Sequence, residues 1–364
     1  MGAVVCHLVL DLIRGGSEGQ CARVAMGLAA RANGQRHRVA LFHRRGWHLE
    51  GVERVCGPVH ELCIRHFLRW ETLREIRRFA AFLRSEGVTH LHAWDADSAI
   101  FGQLAARWAG AKLLTSRRDL GEIYPRHKVA LLDAADRRAA AVVANAEEIR
   151  RHFEGRGTAA GKIRVIPNLL DLAEYDRLAA RAFPGAERLP AGRRLAVVGR
   201  LDPEKNVAVL LRALRLVRRR APDAVLVVAG DGRERAALEA LAAAEGVAAA
   251  TAFLGDTPEI PALLRHVQAG ALVPSRNEGQ SNAVLEYLAA DLPVMATDCG
   301  GNRELLEVAG ASRLVPADAG PEAVAEAWLA LLEGPPAPSC RAALAAKHGS
   351  DAVLPRFEAL YREV

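Results

Sequence analysis

Aromatic side chains are scarce in this chain of 364 residues, because Phe, Trp and Tyr together make up only 5% of it. So few rings leave little material for the stacking platforms on which proteins hold single-stranded nucleic acid. Long apolar runs are also missing, since no stretch approaches the roughly 18–20 residues that a membrane-spanning helix needs. The sequence therefore disfavours both nucleic-acid binding and an integral membrane protein.

Cysteines with metal or redox spacing are missing as well. The cysteines form no CxxC pair and no zinc-like cluster with histidine, so we predict thiols rather than disulfides and a reducing, cytoplasmic location. The first residues, MGAVVCHLVLDLIRGG, lack a basic leader and a small-residue cleavage site, and they indicate a buried strand rather than a signal peptide. The cysteines are Cys6, Cys21, Cys56, Cys63, Cys299 and Cys340.

The composition, 51% hydrophobic and 25% charged residues, is typical of a globular protein. The length of 364 residues is enough for two domains. Charge is unevenly distributed: residues 1–183 carry 29 Lys and Arg against 20 Asp and Glu, whereas residues 184–364 carry 20 against 23. The basic first half indicates an anionic partner, with an anionic membrane surface, a phosphorylated lipid or nucleic acid as the candidates.

Short apolar runs alternate with helix-like stretches along both halves of the chain. Runs of Val, Ile and Leu without polar alternation are typical of strands buried on both faces, and helices between them indicate parallel sheets. We therefore predict two successive α/β domains. The predicted strands are Ala3–Leu10, Arg38–Phe42, Val88–Leu91, Lys112–Thr115, Ala141–Ala144, Ile163–Ile166, Leu195–Val198, Ala224–Ala229, Ala252–Leu254, Gly270–Val273, Pro293–Ala296 and Arg313–Val315.

Two segments rich in proline and glycine indicate the domain boundaries. RAFPGAERLPAGRR (residues 181–194) separates an N-terminal domain, 1–183, from a second domain, 184–338, and GPPAPS precedes a C-terminal helix within 339–364. We expect that helix to pack back on the N-terminal domain. Ligands of two-domain α/β proteins bind at the carboxyl ends of the strands, in the crevice between the domains.

The most informative stretch, PSRNEGQSNAVLEYL, follows the strand predicted at Gly270–Val273. Ser281 and Asn282 are good N-cap residues, and the unpaired N–H groups of the helix that starts there form an anion site. Glu278 lies just before this start and Glu286 about one turn after it. Two carboxylates flanking an anion site suit a ligand with a central phosphate and hydroxyl groups at both ends, such as a nucleotide diphosphate sugar.

Two further strands are followed by residues suited to a phosphate. In VVGRLDPEKN, Gly199 follows a strand and precedes Arg200 and Lys205, two cations that could clamp a diphosphate. In DLIRGGSEGQ, Gly15 and Gly16 follow the first strand and allow a ligand to approach the backbone closely. This stretch is neither a dinucleotide-binding G-x-G-x-x-G nor a P-loop, which weakens NAD and ATP as ligands.

Taken in order, these stretches resemble the retaining glycosyltransferases of family 4, also called glycosyl transferases group 1. The resemblance covers nearly the whole chain and includes VVANAEEIRRHF, KIRVIPNLLD, VVAGDGRERAAL and DCGGNRELL besides the stretches above. The spacing E-x7-E, coupled to an upstream Arg and Lys, is its most specific part. The resemblance implies the α/β fold class GT-B, with two Rossmann-like parallel-sheet domains facing each other across a cleft.

In this family, the residues that match Arg200 and Lys205 hold the donor diphosphate, and the one that matches Glu278 contacts the transferred sugar. The residue that matches Glu286 binds the ribose hydroxyls. The resemblance thus implies Arg200, Lys205 and Glu278 as catalytic residues, a UDP- or GDP-sugar as the donor substrate, and neither metal nor cofactor. The implied donor-binding residues are Gly15, Gly16, Gly199, Gly279, Gln280, Ser281, Asn282 and Glu286.

One departure from the family pattern concerns the loop after the strand at Lys112–Thr115. Many members carry a histidine there, near the reacting carbon, whereas this chain has the sequence SRRD. We therefore expect Arg117, Arg118 and His92 as contacts to an acceptor or to a phosphate. The alternative for His92 and His90 is that each is a packed, hydrogen-bonded histidine.

The sequence thus predicts a retaining hexosyltransferase that transfers a hexose or N-acetylhexosamine to a saccharide or lipid-linked acceptor, in cell-envelope or exopolysaccharide synthesis. The alternatives are a non-catalytic nucleotide-sugar-binding protein and a GT-B epimerase. A phosphorylase is disfavoured, because the second half offers only Lys205 and Lys347 for a pyridoxal phosphate. Nucleic acid is not expected as a partner.

The stretch Arg65–Phe79, RHFLRWETLREIRRF, is amphipathic and basic. Such a helix suits peripheral contact with the anionic inner face of the cytoplasmic membrane. The alternative is a surface helix whose apolar face packs on the first sheet.

Overall fold

The computed structural model describes residues 2–31, 34–64, 70–274, 276–307, 310 and 312–364. The chain divides into two compact units. Unit 1 consists of Met1–Leu169 together with Ser350–Val364, and unit 2 consists of Leu170–Gly349.

Unit 1 is built on a seven-stranded parallel sheet with the strand order β3-β2-β1-β4-β5-β6-β7. Each strand predicted in the first half is present within two residues of its expected start. The strand β3, only two residues long, was not predicted. The strands are β1 Val4–Val9, β2 Arg36–Leu41, β3 His60–Glu61, β4 His90–Ala93, β5 Lys112–Arg117, β6 Ala141–Ala144 and β7 Ile163–Val165.

Helices cover both faces of this sheet, because alternate residues of each strand point to opposite sides. Within β1, Cys6 and Leu8 join one apolar cluster, whereas Val5 and Val9 join the other. The helices that connect the strands are α1 Gly16–Ala29, α2 Leu49–Cys56, α3 Trp70–Ser85, α4 Ala96–Ala109, α5 Arg126–Arg138 and α6 Glu147–Gly155.

Unit 2 contains a six-stranded parallel sheet with the order β10-β9-β8-β11-β12-β13. All six of its strands were predicted, and β9 and β13 have the predicted bounds. The strands are β8 Arg193–Val198, β9 Ala224–Ala229, β10 Thr251–Gly255, β11 Ala269–Leu272, β12 Val294–Thr297 and β13 Arg313–Val315.

The helices of unit 2 also pack on both faces of its sheet, against two separate apolar clusters. They are α7 Leu172–Ala179, α8 Val207–Val217, α9 Arg235–Ala244, α10 Ile260–Leu264, α11 Asn282–Ala289, α12 Asn302–Leu306, α13 Pro321–Glu333 and α14 Arg341–His348.

The division between the units precedes the boundary expected from the proline- and glycine-containing segment. Leu170, Tyr175 and Phe183 are buried in an apolar cluster of unit 2, so α7 packs with the second sheet although it precedes that segment. The expected C-terminal helix is two helices, because α14 ends at His348 and another helix begins at Ser350 after Gly349. Of these, α14 belongs to unit 2 and α15, Ser350–Glu363, belongs to unit 1, where it contacts α1.

The amphipathic stretch lies partly outside the described residues, which begin again at Trp70 after Ile64. From Trp70 onward it forms α3, whose Ile76 and Phe79 are buried in the core of unit 1. This packing agrees with the surface-helix alternative. Trp70 remains 73% exposed, with the guanidinium of Arg77 5.9 Å from its ring.

None of the six cysteines, all of which lie in the described part of the chain, forms a disulfide. Among the helices that the structure describes, none combines the length and the apolar character needed to traverse a bilayer.

Candidate active site

Loops that follow four strands of unit 2 meet at the carboxyl edge of its sheet. The N–H of Gly199, after β8, donates to the carbonyl of Ala229 in β9 at 3.0 Å. The N–H of Gly301, after β12, donates to the carbonyl of Gly279, after β11, also at 3.0 Å. Gly300 has a φ of +57°, and a Cβ there would lie 1.9 Å from the Glu278 carbonyl oxygen. Glycine is therefore required where these two loops cross.

The helix α11 begins where the sequence predicts. Ser281 is its N-cap, and the Ser281 hydroxyl accepts the N–H of Val284 at 3.5 Å. Glu278, Gly279 and Gln280 precede this cap in the same loop. The first-turn N–H groups of α11 and the positive end of its dipole therefore follow Glu278 closely in the chain. Unpaired N–H groups and a positive dipole end are the features that bind an anion.

Tyr287 fixes α11 to the sheet. Its buried hydroxyl accepts the N–H of Val198 at 2.8 Å and donates to the carbonyl of Ala271 at 3.2 Å, so that one side chain contacts both β8 and β11. Its ring lies against Gly270, where a Cβ would be 2.4 Å from ring atoms. Burial raises the pKa of Tyr287, which keeps the hydroxyl available as a donor. Tyr287 was not predicted as a site residue, although it directly follows Glu286.

Lys205 and Glu278 form an ion pair, with 2.6 Å between Nζ of Lys205 and Oε2 of Glu278. Their side chains are 24% and 12% exposed. Lys205 ends a 3-10 turn, Pro203–Lys205, and Asn206, with a φ of +51°, is the N-cap of α8. The structure therefore brings the predicted cation to the loop that precedes α11.

Arg200 pairs within its own loop. Its guanidinium is 2.7 Å from Asp202 and 3.6 Å from Glu204, and its side chain is 67% exposed. Asp202 and Glu204 were not predicted as site residues, although the motif DPEK contains both. Arg200 thus lies at the same edge of the sheet as Lys205, held by carboxylates other than Glu278.

Glu286 lies on α11, half-buried, one turn after the N-cap. Burial and the Glu286 carboxylate raise the pKa of Tyr175, and the helices that carry these two residues, α11 and α7, contact each other.

Unit 1 has its own loop at the carboxyl edge of its sheet, after β1. Gly15 is the N-cap of α1, which begins at Gly16 as predicted, and the N–H of Gly19 donates to the Gly15 carbonyl at 3.0 Å. The Glu18 carboxylate folds over this turn, since its Oε2 lies 1.8 Å from where a Cβ of Gly15 would be. An acidic side chain thus occupies the positive end of α1.

The expectation that Arg117 contacts a ligand is wrong. Arg117 ends β5 and is only 5% exposed, with its guanidinium 2.7 Å from the buried Asp136 and 4.8 Å from the centre of the Phe153 ring. Burial raises the pKa of Asp136, and the Arg117 charge opposes that shift. Arg117 therefore neutralises a carboxylate inside unit 1.

His92 is likewise a core residue rather than a ligand contact. It is fully buried, with Nδ1 2.7 Å from the hydroxyl of Tyr361 and Nε2 2.9 Å from that of Ser116. Burial lowers its pKa to about 3. His90 is buried too, and its Nδ1 is 2.8 Å from the hydroxyl of Thr89, so both histidines fit the packed alternative.

Arg118 points away from Arg117, as successive residues of an extended strand do. Its guanidinium donates to the Asn168 side chain at 2.6 Å and lies 4.7 Å from the centre of the Trp94 ring. Trp94, Arg118 and Asn168 follow β4, β5 and β7, so this cation lies at the carboxyl edge of the unit 1 sheet. Of the three expected contacts in unit 1, Arg118 alone stays a prediction.

Clusters of three or more His, Cys, Asp or Glu side chains that could hold a metal ion do not occur among the described residues.

Two family models match the chain. Residues 14–174 match the model described as Glycosyltransferase Family 4, and residues 192–334 match the one described as Glycosyl transferases group 1. The chain is 38% identical over 174 residues to a D-inositol 3-phosphate glycosyltransferase of Nocardia farcinica, covering 44% of this chain and 38% of that protein. It is 36% identical over 147 residues to a glycogen synthase of Mycobacterium tuberculosis, covering 40% and 34%. The matched part of the chain thus spans less than half the length of these curated relatives.

The fold is also similar to that of Anabaena HepE, solved in complex with UDP and glucose, with a TM-score of 0.81 at 18% identity over 99% of both chains. The two parallel-sheet domains and this likeness confirm the GT-B fold class predicted from the sequence.

Proposed function

The chain belongs to the glycosyltransferases that these two family models describe, and from this membership we propose that it is a retaining, metal-independent glycosyltransferase. Its donor is a nucleotide-diphosphate sugar such as a UDP- or GDP-sugar, from which it transfers a hexose or N-acetylhexosamine. The observation that carries the proposal is the ion pair of Lys205 with Glu278 beside the N-terminus of α11. The UDP complex of HepE supports the choice of donor.

The proposed reaction exchanges one bond at the anomeric carbon for another. The bond from that carbon to the diphosphate oxygen breaks, and an acceptor hydroxyl oxygen bonds to the carbon from the same side. The leaving diphosphate takes the proton of that hydroxyl. Negative charge therefore grows on the diphosphate as the bond breaks, and groups that bind this charge more tightly in the transition state accelerate the step.

The residues at the edge of the unit 2 sheet suit this task. Lys205 and Arg200 supply fixed positive charge, and the first-turn N–H groups of α11 add backbone donors. When the donor binds, Lys205 pairs with the diphosphate instead of with Glu278. The Glu278 carboxylate then accepts hydrogen bonds from the sugar hydroxyls. Glu286 binds the ribose hydroxyls. Because these cations neutralise the leaving group, the proposed reaction needs no metal.

The acceptor is a saccharide or lipid-linked saccharide of cell-envelope or exopolysaccharide synthesis, and unit 1 binds it. Arg118 supports this assignment, because a guanidinium at the carboxyl edge of a sheet suits a phosphate of donor or acceptor. The protein acts in the cytoplasm and contacts the inner face of the membrane through α3. That contact is supported by the exposed Trp70 and by Arg77 near its ring.

Incubation of the purified protein with UDP-glucose and GDP-mannose, followed by measurement of slow donor hydrolysis, tests the activity. We expect release of UDP or GDP, and a loss of about 100-fold or more in Lys205→Ala and Arg200→Ala. Arg220→Ala is the matched control, because Arg220 also pairs with two carboxylates, Glu326 and Glu333, but lies after α8. No hydrolysis by the unmodified protein would indicate the non-catalytic alternative, and near-normal turnover in both site variants would refute the site.

Sedimentation with vesicles tests the membrane contact. We expect binding to vesicles that contain phosphatidylglycerol but not to phosphatidylcholine alone, and a reduction by Trp70→Ala. Equal binding to both vesicles, or none to either, would contradict this part of the proposal.

A further inference from the structure

The loops after β8 and β9 are clamped together by their backbones. The N–H of Leu201 donates to the Asp231 carbonyl and the N–H of Glu234 donates to the Leu201 carbonyl, both at 2.9 Å. A Cβ at Gly232 would lie 2.6 Å from the Leu201 carbonyl oxygen, so this close approach requires glycine. The backbone positions on either side of the clamp are therefore fixed relative to each other.

Arg200 and Arg233 flank this clamp and share two carboxylates. Arg200 is 2.7 Å from Asp202 and 3.6 Å from Glu204, whereas Arg233 is 3.5 Å from Asp202 and 3.8 Å from Glu204. The arginine side chains are 67% and 70% exposed, but the carboxylates between them are only 14% and 10% exposed. Two nearly buried acids thus hold two guanidinium groups at the surface of the predicted diphosphate site.

Arg233 lies 3.5 and 3.8 Å from these acids, beyond the usual N–H···O distance of about 2.7–3.2 Å, so its guanidinium is held by ion pairing rather than by close hydrogen bonds. A guanidinium carries five N–H donors in a planar fork that matches phosphate oxygens. Space is available on the same edge of the sheet, since a Cβ at Gly199, the residue before Arg200, would meet no described atom within 4 Å.

The cations at this edge differ in how closely carboxylates hold them. Lys205 is neutralised by Glu278, and Arg200 is held closely by Asp202. A diphosphate brings more than one negative charge to this place, so binding requires a further cation or the release of these pairs. The closest carboxylate contact of Arg233, at 3.5 Å, is longer than those of Arg200, at 2.7 Å, and Lys205, at 2.6 Å.

We propose that Arg233 is a third cation of the donor site, which binds the second phosphate of the nucleoside diphosphate alongside Arg200 and Lys205. Asp202 and Glu204 are positioning residues that hold the two guanidinium groups side by side. This inference rests on the proposed function, because it requires a nucleoside diphosphate at the edge of the unit 2 sheet.

Calorimetric titration with UDP and UMP tests the proposal, with GDP and GMP used instead if those bind more tightly. We expect Arg233→Ala to weaken UDP binding about tenfold or more, as for the loss of a charge-assisted hydrogen bond. The affinity of the same variant for UMP, which lacks the second phosphate, should fall less than about threefold. Arg233→Lys should recover part of the UDP affinity, because it restores the charge without the planar fork.

Arg220→Ala again serves as the matched control, and circular dichroism with thermal unfolding confirms that each variant is folded. Unchanged UDP affinity in Arg233→Ala, while Lys205→Ala loses it, would overturn the role of Arg233 and leave the proposed function standing. Equal losses for UDP and UMP would also overturn it, because they would place Arg233 away from the second phosphate. If the unmodified protein binds none of the four nucleotides, the proposed function fails and this inference fails with it.

Discussion

The ammonium of Lys205 lies 2.6 Å from the carboxylate of Glu278, although 73 positions separate the two residues in the sequence. Lys205 comes from the loop after β8 and Glu278 from the loop after β11, and these strands are neighbours in the sheet. The pair therefore joins the residue proposed to hold the diphosphate to the one proposed to contact the sugar.

Removing the charge of Glu278 should separate nucleotide binding from transfer. In Glu278→Gln, Lys205 loses its partner and becomes available to a diphosphate, so we expect UDP to bind several-fold more tightly while transfer falls about 100-fold. Calorimetry and donor turnover measure the two effects. UMP affinity serves as the internal control, and weaker UDP binding in this variant would contradict the proposed competition for Lys205.

Tyr287 should stabilise unit 2 through its hydroxyl. Tyr287→Phe leaves the N–H of Val198 without its acceptor, and we expect a loss of about 1–3 kcal/mol in the free energy of unfolding together with weaker nucleotide binding. Tyr175→Phe is the matched control, because the buried Tyr175 hydroxyl makes no hydrogen bond to the residues that the structure describes. Denaturant unfolding measures both, and equal effects of the two changes would argue against an anchoring role.

Arg117 and Arg118 are adjacent in the sequence, but we expect substitution of the first to reduce stability and substitution of the second to reduce transfer. Arg117→Ala leaves the Asp136 carboxylate buried and unpaired, so we expect a loss of about 3–5 kcal/mol in unfolding free energy. Arg118→Ala should cost much less stability and instead reduce transfer to the acceptor. Unfolding and turnover are measured for both variants. A large loss of stability in Arg118→Ala together with a loss of transfer alone in Arg117→Ala would contradict the structure.

Whether a feature could be predicted from the sequence depends on how far apart in the chain the residues that determine it lie. The strands and the start of α11 could be predicted because apolar runs and N-cap residues act locally. The roles of Arg117 and His92 could not, because they depend on which face of β4 or β5 meets Asp136 or Tyr361, and those partners are brought close only by the fold. The start of unit 2 was missed because α7 joins it through buried contacts of Tyr175, which no linker composition reveals.

Unit 1 should be sensitive to mild acid because four histidines with a lowered pKa are buried among its described residues. Burial lowers the pKa of His7 well below its usual value, the pKa of His37 and His90 to about 4, and that of His92 to about 3. In the unfolded chain these groups take up protons near pH 6.5, so unfolding binds protons below that pH. Stability is therefore complete above about pH 6.5 and falls as the pH decreases toward 4, by about 1.4 kcal/mol per unit for each histidine.

Denaturant unfolding between pH 7.5 and 4.5 measures this slope. We expect His37→Gln to lower the number of protons taken up on unfolding by about one. Parallel stability curves for the variant and the unmodified protein would show that His37 is not held neutral in the folded state.

A crystal structure with bound UDP, or with GDP if that nucleotide stabilises the protein more strongly, tests the proposed donor site most directly. We expect diphosphate oxygens within hydrogen-bond distance of the Lys205 ammonium and the Arg200 guanidinium, with the contact between Lys205 and Glu278 opened and the ribose hydroxyls on Glu286. A nucleotide bound elsewhere, or an intact pair of Lys205 and Glu278 with no phosphate beside it, would refute this donor site.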